Sequence, residues 1–270
     1  MSAATREDPS QPSSPPIGKE MLVIGGVRVN NLVESDVVRI ISEAVRSGRS
    51  GYMAVVNASK LVLATRDRRL AEALETADIV TADGMSVVWA SRLLGNPLKA
   101  RVTGIDTFET LVAACDSAGW SVYFLGSRQE SVAETVRHFS ARHPGLKTAG
   151  FRDGYFDDEN SCQVVADINN SGADLLFVGM GSPRQELWIR ENLAETGVKF
   201  ALGVGGSFDH FSGLVKRAPV WMQRAGLEWL HRLAMEPGRL WRRYLIGNTA
   251  FIWLVLKQKF SRSASSNRRV

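Results

Sequence analysis

Cysteine is scarce in this chain of 270 residues: only Cys115 and Cys162. They lack metal-ligand spacing, and a reduced, cytoplasmic setting is the simplest account of them. Histidine is nearly as rare. His138, His143, His210 and His231 are scattered, and no Asp-x-Asp pair sets two carboxylates on one strand, so no metal chemistry is expected. A Walker sequence is missing, as is a complete G-x-G-x-x-G with an acidic partner, which argues against ATPase and dinucleotide chemistry. There is no G-x-S-x-G elbow for a serine hydrolase. The first nineteen residues are Pro/Ser-rich without an apolar segment, so they predict a disordered terminus rather than a signal peptide. No internal repeat is visible. Nor is any apolar run long: Tyr244 to Leu256 reaches about 20 Å as a helix, short of the ~30 Å hydrocarbon core.

What is present is unevenly distributed. The formal net charge is +5, but residues 213–270 hold twelve Lys/Arg against Glu228 and Glu236, a balance of +10, which leaves −5 on residues 1–212. Four of the seven tryptophans (Trp221, Trp229, Trp241, Trp253) also fall in that tail. A basic, Trp-rich tail suits an anionic and partly apolar partner, and a membrane surface meets both demands. Four segments are therefore expected: disordered 1–19, a body at 20–212, a helical appendage at 213–260, and a disordered end at 261–270.

The body alternates strand-like and helix-like runs. "EMLVIGGVRVNN" predicts a hairpin turning at Gly25-Gly26. "GYMAVVN", "ADIVTAD", "SVYFLGS", "ADLLFVGMG" and "VKFALGVGG" predict buried strands, with amphipathic helical patterns between them. The fold class is α/β: a mostly parallel, Rossmann-like sheet with helices on both faces. In the tail, one helix is predicted after Pro219 and a second after Pro237-Gly238.

Ligands of such sheets bind beyond the carboxyl ends of the strands. Candidate loops there are Asn57, Asp83-Gly84, Gly126-Ser127, Gly179 to Gln185, and Gly203 to Asp209, the last including Gly205. Each glycine either exposes backbone N–H groups to phosphate or merely lets strand and helix pack closely. Asp83 and Asp106 precede or open helices, where aspartate commonly caps; Asp83 also suits a general base at the ligand end of the sheet. Arg101 is either a surface cation or a phosphate donor. Gln185 is either solvated or at the site. Arg239, Arg242 and Arg243 share a helix face by spacing, as a solvated stripe or a diphosphate clamp.

Taken together, "VVNASKLVLA", "TADGMSVVWASRLLG", "RVTGID", "FLGS", "GMGSPRQELWI", "GVGGSFDHFSG" and "RAPVWMQRAGLEWLHRLAMEPGRLWRRYL" resemble the WecG/TagA/CpsF family of bacterial glycosyltransferases over about residues 21–245. The resemblance implies transfer of a sugar, typically N-acetylmannosamine, from a UDP-sugar to a sugar on a polyprenyl-diphosphate lipid, with inversion and without a metal or other cofactor. It places the catalytic aspartate on Asp83, and substrate contacts on Asn57, Arg101, Gln185, Arg232, Arg239, Arg242 and Arg243. Gly126, Gly205, Asp106 and Asp209 are further substrate-binding expectations from the loops. The family often has Thr where this chain has Val55, so a UDP-hexose such as UDP-glucose is an alternative donor. A non-catalytic nucleotide or lipid-diphosphate binding module is the reading from another class. The expected partners are the donor, the lipid-linked acceptor and the inner face of the cytoplasmic membrane. No nucleic acid is expected, and the tail's apolar residues suit a homo-oligomer as well as lipid.

Overall fold

The computed structural model of the protein describes residues 21–266. The stretches 1–19 and 267–270, expected to be disordered, lie outside the described residues. The chain opens with the expected hairpin, β1 (Met21–Ile24) antiparallel to β2 (Val27–Asn30). Gly25 and Gly26 turn it at φ of 59° and 88°, a region open to residues without a Cβ. Next come α1 (Glu34–Ser47) and β3 (Gly51–Val56). The stretch from Ala58, predicted as one helix, is two: α2 (Ala58–Ala64) and α3 (Arg68–Glu75). Asp67 causes the split, because its carboxylate caps the Leu70 N–H at 3.1 Å and starts a new helix. The chain continues through β4 (Ile79–Ala82), α4 (Met85–Leu93), α5 (Gly104–Ala118), β5 (Ser121–Gly126) and α6 (Gln129–Arg142).

The sequence pattern does not predict the next two elements, β6 (Lys147–Arg152) and α7 (Asp158–Ser171). β6 is an edge strand with no fully buried residue, so it carries no continuous apolar run. Within "DDEN", Asp157 caps α7 through the Asn160 N–H at 3.0 Å. β7 (Leu175–Gly179), α8 (Arg184–Thr196), β8 (Phe200–Gly203) and the short α9 (Ser207–Phe211) complete the body. In the tail, the helix expected after Pro219 divides into α10 (Val220–Arg224) and α11 (Glu228–Met235), because Gly226 turns the chain at φ 73°. α12 (Pro237–Ser266) follows and runs through residues 261–266, which were expected to begin a disordered end.

Six strands form one parallel sheet in the order β4-β3-β8-β7-β5-β6. Side chains alternate between its faces. On β3, Tyr52, Ala54 and Val56 join a core with α2, α3, α4, α7 and α8. Met53 and Val55 point the other way, into a core with α1, α5, α6 and α9. Both faces are covered, which explains why strands such as "LLFVG" are apolar throughout.

The tail shares this core. Phe251 and Val255 of α12 are 4 % and 2 % exposed and belong to the first-face cluster. Gln258 of α12 bonds the Gly25 N–H and the Val23 carbonyl of the hairpin, at 3.0 and 2.6 Å. A cut after Ser212 would therefore strip packing from the body as well as remove the tail. Among the described residues, no helix is long and apolar enough to cross a membrane.

Candidate active site

A cavity of about 690 Å³ lies at the carboxyl ends of β3, β4, β5, β7 and β8, where parallel sheets bind ligands. The strand ends supply Asn57, Asp83, Ser127, Gly179 and Gly205, α5 supplies Gly104, and the tail closes the cavity with Glu228, Trp229, Arg232 and part of α12.

Asp83 is one residue past β4. Its N–H donates to the Val56 carbonyl at 2.9 Å, which carries the β3–β4 ladder one step further. Its side chain does not cap α4: the cap position is Gly84, with no side-chain bond to the helix. The carboxyl is partly buried in the cavity wall and free of that duty. Burial, the chief cause, pushes it above the usual carboxylate range. Arg232 opposes this, Glu228 adds to it, and Arg101 and Lys60 oppose it further. A carboxylate held in a cavity with a raised pKa is a stronger proton acceptor than a solvated one.

Asn57 caps α2 through the Lys60 N–H at 3.1 Å and also lines the cavity. Gln185, open to a solvated reading in the sequence, is 1 % exposed. It reaches under β8: its Oε1 accepts from the Gly205 N–H at 3.1 Å, and its amide donates to Glu186 at 2.8 Å. Glu186 in turn pairs with Lys60 at 2.6 Å, and Lys60 also donates to the Val55 carbonyl at 2.6 Å. Lys60 and Glu186 are 5 % and 1 % exposed. The sequence shows Glu186 only as a charge suited to the helix start and Lys60 not at all, since nothing in the local pattern distinguishes a buried ion pair from two solvated helix charges. Asp209 lines the cavity and accepts a hydrogen bond from the Ser127 hydroxyl. Ser127 itself has φ 54°, uncommon for a residue with a side chain.

Four ionic groups join the tail to the body. Arg101 donates to Glu228 of α11 at 3.0 Å, and Glu228 faces Arg217 at 3.5 Å. Arg217 forks onto both oxygens of Asp106, at 2.6 and 3.1 Å. This settles Asp106. The cap of α5 is Thr103, and Asp106 lies three residues on, bonded to the Thr103 hydroxyl and committed to Arg217. Burial alone would raise its carboxyl, but the Arg217 and Thr103 bonds outweigh this and hold it below the usual range. Asp106 does not line the cavity, and its carboxylate anchors the tail through Arg217.

Gly126 likewise does not line the cavity. A Cβ there would stand 2.5 Å from the Gly179 backbone, so this glycine serves close packing of β5 on β7. Gly205, Arg101, Arg232 and Asp209 do line the cavity, as expected of ligand contacts. Arg239, Arg242 and Arg243 fall on α12, and their side chains lie outside the described residues. Arg184 turns away from the cavity to hold the Gly154 and Phe156 carbonyls. Among the described residues, no group of three or more His, Cys, Asp or Glu could hold a metal ion.

The profile of the "Glycosyl transferase WecG/TagA/CpsF family" matches residues 22–265. A Bacillus spizizenii protein named N-acetylglucosaminyldiphosphoundecaprenol N-acetyl-beta-D-mannosaminyltransferase is 38 % identical over 196 residues, 73 % of this chain and 75 % of its own. A Bacillus subtilis protein of the same name is 35 % identical over 193 residues, 72 % and 74 % of the two chains. The match takes in both the sheet that carries Asp83 and the tail that closes over it, and the chain belongs to the WecG/TagA/CpsF family of glycosyl transferases.

Proposed function

We propose that this chain transfers an N-acetylmannosamine-type sugar from a UDP-sugar to a hydroxyl of a polyprenyl-diphosphate-linked sugar, with inversion, in cell-envelope polysaccharide synthesis. The relatives' names support this donor sugar and this kind of acceptor. The observation that carries the chemistry is the partly buried, raised-pKa Asp83 in a cavity it shares with Arg101 and Arg232. Asp83 takes the proton from the acceptor hydroxyl as that oxygen bonds to the anomeric carbon. The bond from that carbon to the UDP β-phosphate oxygen breaks, and UDP leaves with the electron pair. Arg101, Arg232 and the N–H groups of the glycine loops meet the developing negative charge. Arg239, Arg242 and Arg243 are proposed to join them.

The basic tail is proposed to hold the enzyme peripherally on the cytoplasmic face of the membrane, where the acceptor resides. Each cation near an anionic surface adds about 1 kcal/mol of attraction.

UDP release with a lipid-diphosphate-sugar acceptor tests the reading. Asp83→Asn should reduce turnover by about 10²–10⁴, the usual worth of a positioned base. Full activity in that variant would refute the role of Asp83 and favour a binding module. Val55 lines the cavity, so a panel of UDP-sugars decides the donor. Faster turnover of UDP-glucose than of UDP-N-acetylmannosamine would replace the proposed donor.

A further inference from the structure

The cavity has a second half made mostly of apolar side chains, which the chemistry of Asp83 leaves unused. Met85, Trp89 and Leu93 recur every four residues along one face of α4. Asn248, Ile252 and Leu256 do the same on α12. Both faces line the cavity that also holds Asp83, and among the described residues none that either helix contributes to it is ionisable. Although these side chains face a concavity, they are not packed away: Trp89 is 48 % exposed, Leu93 43 %, Ile252 57 % and Leu256 38 %. Leu93 and Trp89 belong to a helical pattern that would ordinarily face the core, yet it is Val87 and Val88 that α4 buries there. Large apolar groups kept open along a trough continuous with a polar site indicate an apolar ligand segment attached to a polar one.

The direction of the trough says which segment. α4 starts two residues after Asp83, and from Met85 to Leu93 it rises about 12 Å. The α4 wall thus leads outward from the base. An acceptor that presents its hydroxyl to Asp83 sets its diphosphate farther out, and its lipid farther still. Resting on the transferase reading above, we propose that the trough between α4 and α12 receives the first isoprene units of the acceptor's polyprenyl chain. The enzyme then recognises its acceptor by lipid as well as by sugar, and the tail contributes one wall of that site.

The test uses the full chain and two soluble acceptors with the same sugar diphosphate, one esterified with methyl and one with farnesyl. Wild type should turn over the farnesyl acceptor with at least about tenfold higher kcat/KM, since a few buried methylenes suffice for that. Leu93→Gln and Ile252→Gln, both at exposed positions, should each bring the farnesyl-to-methyl ratio towards one. A wild-type ratio near one with transfer intact overturns the trough and spares the transferase reading. A variant that lowers both acceptors equally also overturns it. So does a variant that keeps the ratio but loses binding to phosphatidylglycerol vesicles, because the face would then belong to the bilayer. No transfer to either acceptor by folded wild type, with any UDP-sugar, overturns the reading beneath the proposal.

Discussion

Deleting one member of the buried Lys60–Glu186 pair should be the most damaging single change near the site. In Lys60→Met, the Glu186 carboxylate, 1 % exposed, keeps only the Gln185 amide, and its second oxygen already has no partner. The Val55 carbonyl also loses its donor. Removing one partner of a buried pair costs about 3–5 kcal/mol, most of it from the charge left behind. At roughly 2–4 °C per kcal/mol for a chain near this size, Tm should fall by about 6–20 °C. Lys60→Met combined with Glu186→Leu removes both charges and should recover most of that loss. Thermal and urea unfolding of the two single variants and the double variant close the cycle. The recovered double variant should still bind donor more weakly, because Gln185, and through it the Gly205 loop, has lost its support. A single-variant loss below about 1 kcal/mol, or a double variant no better than the singles, would refute the reasoning.

Three other outcomes follow from the charges and thiols. The proposed base, Asp83, must be unprotonated to act, so kcat/KM should fall as pH drops through its raised pKa; Glu228→Gln removes a carboxylate that raises it and should move the acid limb to lower pH. In the linked stability, the folded state holds the Asp83 proton more tightly than the unfolded chain, so stability falls as pH rises from the unfolded value through the raised one. The cost of the buried charge is fully present above both values, so at a pH above both, Asp83→Asn should unfold at a higher temperature than wild type, as measured by calorimetry. Burial pushes the Cys115 thiol up to about 12, whereas Cys162 is exposed, so a maleimide should label the native protein once, at Cys162, by mass spectrometry.

The amino-acid order alone determined the parallel sheet, the hairpin at Gly25-Gly26, and the loops from which Asn57, Asp83, Gly205 and Asp209 reach the cavity. Those features rest on local periodicity and on the rule that ligands meet strand ends, both of which can be read within a few residues. β6 escaped because an edge strand needs no apolar run, and α3 because a single capping aspartate split a continuous helical pattern. What tertiary structure alone decided is which charges find each other. Arg101 with Glu228, Arg217 with Asp106, and Lys60 with Glu186 lie 127, 111 and 126 residues apart. Tertiary contact also left Asp106 and Gly126 out of the cavity lining and set Gln185 beneath the Gly205 loop. A charge carries no local sign of its partner. Its role depends on which elements the fold brings within hydrogen-bond range and on how much water they exclude.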